Sequence, residues 1–228
     1  RIEGTTVIQF APPNYQVQDV CFLLQAFGVT IDGIGTTTLT IQGKKEINCT
    51  VEHYNSEDPI ESMFFLSAGI VTKSKLTVTR CPIEFLTLEL EKLKRMGLIY
   101  KQSKMYFAKN AKTKLVDITI SPSKLVAPHD KIHTQPFPGI NNDNLPFFVP
   151  IACFAEGQTL IHDWTWENRA IYFTELNRLG AEIKLLDPHR ALVTGVTKLR
   201  GAQIVSPPAL RPTAIILIAM LAAEGESL

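Results

Sequence analysis

The chain has 228 residues, 45% of them hydrophobic and 20% charged, an ordinary globular composition that is long enough to bury a sizeable core. Lys and Arg number 23 against 22 Asp and Glu, a formal net charge of +1, so no overall field draws the protein onto nucleic acid or an anionic membrane. Any anion site has to be local, and the longest apolar stretch, Pro212 to Ala223, is shorter than the ~18–20 residues that span a bilayer.

In chain order, EGTTVIQF from Glu3 reads as a strand, and VQDVCFLLQAFGVTI from Val17 as an amphipathic helix closed by Gly28 that runs into a second strand. DPIESMFFLSAGIV, from Asp58, is apolar nearly all the way round. SKLTVTR from Ser74 is again a strand, and PIEFLTLELEKLKRMGLIY from Pro82 a helix with a charged face that ends at Gly97. A polar, Pro-rich stretch from Ser121 to Asn144 then leads to a second apolar segment, DNLPFFVPIACFAEG from Asp143. There Pro150 predicts a kink or an early end. EGQTLIHD from Glu156 is a third strand, ENRAIYFTELNRLGAEIKL from Glu167 a third amphipathic helix ending at Gly180, and LRPTAIILIAMLAAEG from Leu210 a third apolar segment.

The same series of strand, amphipathic helix, strand or hairpin and apolar helix thus occurs three times. Helices apolar on every side need one another, which predicts a central bundle of three buried helices wrapped by sheets and by three amphipathic helices. The expected fold class is α/β, of α+β character, in a single domain with units of about 1–72, 73–155 and 156–228. The final AAEGESL restates FAEGQTL and RIEGTTV, so it begins a fourth copy of the first strand, expected to complete the first sheet or to lead out to another domain. With Arg1 in place of an initiator Met, the chain reads as a segment cut from a longer pattern.

Four cysteines, Cys21, Cys49, Cys81 and Cys153, lie far apart without a C-x-x-C pair, which predicts buried thiols in a reducing compartment. The five histidines do not cluster, and no metal site is expected. Trp164 and Trp166 read first as packing residues on a half-buried edge and second as a platform for a sugar or a base. Lys101, Lys104, Lys109, Lys112 and Lys114 alternate with aromatic residues, but without net positive charge they read as a solvated hairpin.

Arg169 is the anomaly, because a helix start is the positive end of the peptide dipole and an arginine there needs a negative partner. Arg211, at the start of the third apolar segment, poses the same question. On pattern alone each reads first as a solvated or salt-bridged surface arginine, and Asp143 as a helix cap worth about 1 kcal/mol.

The order of EGTTVI, DPIES, DNLPFF, WENR, LGAEI, KLRGAQIV and LRPTAIILIAMLAAEG resembles the enolpyruvyl transferases over essentially the whole chain. WENR followed by its helix is most similar to the UDP-N-acetylglucosamine 1-carboxyvinyltransferase branch. The resemblance implies an inside-out α/β barrel: two domains, each of three βαβαββ units with pseudo-threefold symmetry, of which this chain supplies one, and a substrate cleft between them. It implies transfer of the enolpyruvyl group of phosphoenolpyruvate to the 3-hydroxyl of UDP-N-acetylglucosamine, in the cytoplasm, for peptidoglycan precursor synthesis. No cofactor, nucleic acid or membrane partner is implied.

On the same resemblance Arg169 and Arg211 are substrate-binding residues for the phosphoenolpyruvate-derived carboxylate, and Asp143 is the catalytic acceptor of the 3-hydroxyl proton. The family's catalytic cysteine belongs to a mobile loop of the other domain, and Cys153 does not stand for it. The chain departs from the family at Ala209-Leu210-Arg211, where Asp-Leu-Arg is usual, and at FPGINND, Phe137 to Asp143, where FPTD is usual. Two other readings stand beside the transferase: a non-catalytic binding or scaffold module, and a shikimate-pathway enolpyruvyl transferase.

Overall fold

The computed structural model describes residues 3–228. Strand β1 (Gly4–Gln9), helix α1 (Tyr15–Ala26), strands β2 (Thr30–Asp32) and β3 (Thr38–Gly43) and helix α2 (Pro59–Val71) come first. Asn14 starts α1 by accepting a hydrogen bond from the backbone of Val17 at 3.1 Å, and Asp58 starts α2 in the same way, 2.8 Å from the nitrogen of Ile60. Pro59 follows at the first helical position, where a missing N–H costs nothing.

The second series is β4 (Leu76–Pro82), a short 3₁₀ turn (Ile83–Phe85), α3 (Thr87–Arg95), β5 (Ile99–Gln102), β6 (Tyr106–Phe107), β7 (Lys114–Ser121), β8 (Ile132–His133), a 3₁₀ turn (Leu145–Phe147) and α4 (Phe148–Ala152). The third is β9 (Gly157–His162), a 3₁₀ helix (Arg169–Leu179), β10 (Glu182–Asp187), β11 (Arg190–Gly195) and α5 (Leu210–Ala222). The sheets run β1-β3-β2, β4-β7-β5 and β9-β11-β10, so one strand order, first, last, middle, recurs in each. Strand β8 adds to β9 in parallel, the one ladder of named strands that is not antiparallel among the described residues. It lies within the polar stretch before Asp143, where the sequence pattern carries no strand signal.

Gly28, Gly97 and Gly180 close their helices at φ of 81°, 100° and 91°, the left-handed conformation expected of them. The helix that Gly180 closes differs from expectation, because Arg169–Leu179 is wound as a 3₁₀ helix. Its buried residues explain this. Ala170, Phe173, Leu176 and Leu179, all at most 1% exposed, recur every three positions, and three residues per turn set them in one row facing the core. At α3 the buried cap residue Leu86 and the helical Leu90 and Leu93 follow the four-and-three spacing of an α-helix instead.

Helices α2, α4 and α5 pack against one another at the centre, and Ser67 of α2 donates to the carbonyl of Phe147 at 2.9 Å. Only α4 is buried on every side. On α5, Leu210, Leu217 and Leu221 are exposed and form an open apolar face, while α2 exposes only Glu61 and Phe65. The second rod is short because it begins as a 3₁₀ turn and ends at Ala152. Pro150 sits in the first turn of α4, where its nitrogen has no helical acceptor to lose.

The C-terminal residues do not join the first sheet. Glu224 bridges Arg200 in parallel and its nitrogen donates to Leu199 at 3.0 Å, as the nitrogen of Glu156 donates to Leu125 at 2.9 Å one unit earlier. The AEG tripeptide therefore performs one task twice, tying the end of a buried helix to the segment beyond a neighbouring sheet. Of the cysteines, Cys21, Cys81 and Cys153 are buried and Cys49 is exposed, which corrects the expectation of four buried thiols.

Candidate functional site

Arg169 occupies the first position of its 3₁₀ helix, directly after Asn168, which adopts the left-handed conformation at φ 58°. That reversal turns the arginine inward, and it is 8% exposed. Its Nε donates to the carboxylate of Asp163, its Nη2 to the carbonyl of Asn142, and its Nη1 lies 3.6 Å from Asp143 Oδ1. The Trp166 ring lies 5.8 Å from the guanidinium carbon. Arg169 is thus neither solvated nor on the surface: a buried carboxylate supplies its countercharge, and a fork-shaped cation can hold two acceptors at once.

Asp163 is 0% exposed, and its Oδ1 has no hydrogen-bond partner among the described groups. Pairing with Arg169 is what makes a carboxylate tolerable there. Sequence reasoning missed this residue. Asp163 directly follows strand β9, six positions before Arg169, and nothing in that spacing discloses that the intervening turn folds back on itself.

Asp143 caps no helix. The turn that follows it has Asn144 at its cap position without a side-chain bond, and the backbone nitrogen of Asp143 donates to Asn141 Oδ1 at 2.8 Å. Its carboxylate faces two cations: Oδ1 is 3.6 Å from Arg169 Nη1 and 3.6 Å from Arg211 Nε. Arg211 is the second residue of α5, and its Nε is buried with no hydrogen-bond partner, a donor left for some acceptor. Ala209 stands at the cap position of α5 without a side-chain bond, so the first N–H groups of that helix lack a side-chain acceptor there.

Tyr15, at the start of α1, completes the group by donating to Asp58 Oδ1 at 3.2 Å. Burial, then the charge and hydrogen bond of Asp58 and the charge of Asp143, raise its phenol pKa, which Arg211 partly offsets. The starts of α1, α2, the 3₁₀ turn before α4, and α5 therefore come together at Tyr15, Asp58, Asp143 and Arg211. Beside them lies a cavity of about 220 Å³ lined by Asn14, Tyr15, Phe85, Phe137, Asn142 and Trp164, among others. Its walls combine aromatic faces with amides, and it joins the charged cluster through Tyr15 and Asn142.

The remaining candidates lie elsewhere or serve packing. Burial pushes the Cys153 thiol up to about 12, which removes it as a nucleophile at neutral pH. Trp164 and Trp166 are each about half exposed, and the Trp164 Nε1 donates to the carbonyl of Thr134. In the lysine hairpin Lys109 stacks 3.8 Å from the Tyr54 ring and Lys114 pairs with Glu84 at 3.0 Å. Among the described residues no group of three His, Cys, Asp or Glu is placed to hold a metal ion, and no helix is long and apolar enough to cross a membrane.

Residues 1–227 match the family model described as EPSP synthase (3-phosphoshikimate 1-carboxyvinyltransferase). Curated relatives include the UDP-N-acetylglucosamine 1-carboxyvinyltransferase of Sulfurovum sp., 35% identical over 98% of this chain and 50% of its own length. That of Gloeobacter violaceus is 34% identical over 98% of this chain and 46% of its own. The chain spans about half the length of these relatives. Among solved structures, the enolpyruvyl transferase NikO from Streptomyces tendae superposes with a TM-score of 0.77 at 26% identity, over 97% of this chain and 50% of that one. EPSP synthase from Acinetobacter baumannii shares the fold, with a TM-score of 0.71 at 21% identity over 98% of this chain and 51% of that one.

Proposed function

The chain belongs to the EPSP synthase family of enolpyruvyl transferases, and from that premise we propose that it is part of a transferase that moves the enolpyruvyl group of phosphoenolpyruvate to the 3-hydroxyl of UDP-N-acetylglucosamine. The relatives at 34–35% identity carry that name, which favours the sugar nucleotide over 3-phosphoshikimate as acceptor. The setting is peptidoglycan precursor synthesis in the cytoplasm. The units 1–72, 73–155 and 156–228 form one inside-out barrel domain, with a second domain across the cleft. The recurrent strand order and the three packed central helices support that reading.

One observation carries the site: two arginines and an aspartate, far apart in sequence, meet at the starts of their elements. Arg211, whose Nε makes no hydrogen bond, and the Arg169 Nη1 that faces Asp143 bind the substrate carboxylate, and the N–H groups at the start of α5 add to the positive field. Arriving substrate competes with Asp143 for both cations. Freed from them, the Asp143 carboxylate takes the proton of the attacking hydroxyl. Attack at C2 of phosphoenolpyruvate, with a proton taken up at C3 as the double bond opens, gives a tetrahedral adduct, and loss of phosphate from C2 with a proton from C3 restores the enol double bond.

The isolated chain is inactive, because one wall of a cleft neither aligns two substrates nor excludes water. Titration calorimetry with phosphoenolpyruvate tests the binding half of this reading, with Arg169→Ala and Arg211→Ala as controls. Phosphate release in the presence of both substrates tests the other half, and steady turnover by the isolated chain contradicts it. Ala209 favours a second reading, a binding module that has kept the fold without the chemistry, since α5 carries no carboxylate of its own at its cap or in its first turn. That module binds the sugar nucleotide and shows no turnover even when it is part of a longer polypeptide.

A further inference from the structure

Glu89 is a buried ionisable group with no part in the reaction just described. It lies on the inner face of α3 beside Leu90 and Leu93 and is 2% exposed. Its Oε1 accepts from Asn144 Nδ2 at 2.8 Å and from the backbone nitrogen of Asn141 at 3.2 Å. Asn144 is itself 0% exposed, and its Oδ1 is a buried acceptor without a donor. Building on the site reading above, we propose that Glu89 is a positioning residue: from α3 it grips both ends of the Asn141–Asn144 turn and so fixes where Asp143 and the Asn142 carbonyl meet Arg169.

The turn is short and every member of it is used. Asn141 Oδ1 receives the nitrogen of Asp143, the Asn142 carbonyl receives Arg169, and Asp143 faces Arg169 and Arg211. Glu89 holds the first and the last of the four residues from a helix more than fifty positions away in sequence. An irregular loop held by few contacts of its own needs an anchor from outside to keep its aspartate still.

The surroundings of Glu89 favour its neutral acid form over the carboxylate. Burial raises its pKa, against smaller opposing contributions from the Asn144 and backbone hydrogen bonds. The charged neighbours are engaged elsewhere: Glu84 with Lys114, Glu91 with Arg95, Lys92 toward Asp130, and Asp143 with the two arginines. Among the described residues no cation pairs with Glu89. When protonated, the acid offers through Oε2 the donor that Asn144 Oδ1 lacks while Oε1 accepts from Nδ2, which would close a two-bond acid–amide pair.

Three measurements on the chain test this. In NMR spectra Glu89→Gln, which preserves the two-bond pair, leaves the Arg169 Nε–H resonance and its slow solvent exchange unchanged, whereas Glu89→Leu speeds that exchange at least tenfold. If Glu89→Leu fails to fold, Asn144→Ala severs the same pair from the loop side and gives the same result. Phosphoenolpyruvate affinity follows the resonance, within twofold of wild type for Gln and at least tenfold weaker for Leu.

The third is the pH dependence of unfolding. Between the unfolded carboxyl pKa of about 4.3 and the higher folded value, the native state holds a proton that the unfolded state lacks. The wild-type unfolding constant therefore rises up to tenfold per pH unit relative to Glu89→Gln across that window. A Gln variant as disturbed as the Leu variant, an unchanged Arg169 signal in both disrupting variants, or a flat pH comparison overturns the proposal. Wild-type protein that binds no phosphoenolpyruvate overturns the functional reading instead, and the resonance and pH arms still decide the role of Glu89.

Discussion

The first sheet and the other two share a strand order and differ in what they bury. β1-β3-β2 with α1 encloses a small cluster of its own, Ala11, Cys21, Ile31 and Leu39, while the second and third units share one core with α2, α4 and α5. All six residues of β1 are exposed, and Val7 and Ile8 present apolar side chains to solvent. Hydrogen-bond order is therefore a local property, repeated wherever strand, helix and hairpin signals repeat. Burial depends on what packs against the sheet.

Substitutions ranked by expected effect test that contrast. Phe147→Ala, at the centre of the shared core, is expected to cost ~3–5 kcal/mol in denaturant unfolding and to destabilise both later units together. Asp163→Leu leaves the Arg169 guanidinium buried without its carboxylate and is expected to cost a comparable ~3–5 kcal/mol. Leu39→Ala, in the small cluster, should fall near the lower end of the ~2–5 kcal/mol range. It should raise hydrogen exchange in β1–β3 without touching β9–β11. Uniform exchange across all three sheets after that change would erase the distinction between the two cores.

Ala209→Asp supplies the missing cap of α5 and is expected to add ~1 kcal/mol of stability, seen as a raised thermal midpoint. Smallest of all, Ile8→Thr on the open face of β1 should stay within about 0.5 kcal/mol of wild type. A larger loss would show that something covers that face in solution.

Much of this arrangement could be read from the residues alone, and the failures have physical causes. Gly28, Gly97 and Gly180 announced three helix ends, because few other residues accept a left-handed backbone. Arg169, Arg211 and Asp143 were legible as a group only through the resemblance to the enolpyruvyl transferases, since pattern alone reads them as surface arginines and a helix cap, and the structure brings them within ion-pair distance. Asp163, Tyr15 and Glu89 were not, since each acts through a contact that only tertiary packing creates. The 3₁₀ winding of Arg169–Leu179 was visible in the spacing of Ala170, Phe173, Leu176 and Leu179, but a threefold row resembles an α-helical stripe over so short a span. Strand β8 has two residues and a single partner, too little for periodicity to register.

The chain contains two tryptophans, and both stand at this one rim, Trp166 beside the Arg169 guanidinium and Trp164 on the wall of the neighbouring cavity. Indole emission from the whole molecule therefore originates within a few ångströms of the proposed anion cradle. Occupancy there is readable as a change in intrinsic fluorescence, with no dye attached, when the indoles are excited selectively over the five tyrosines.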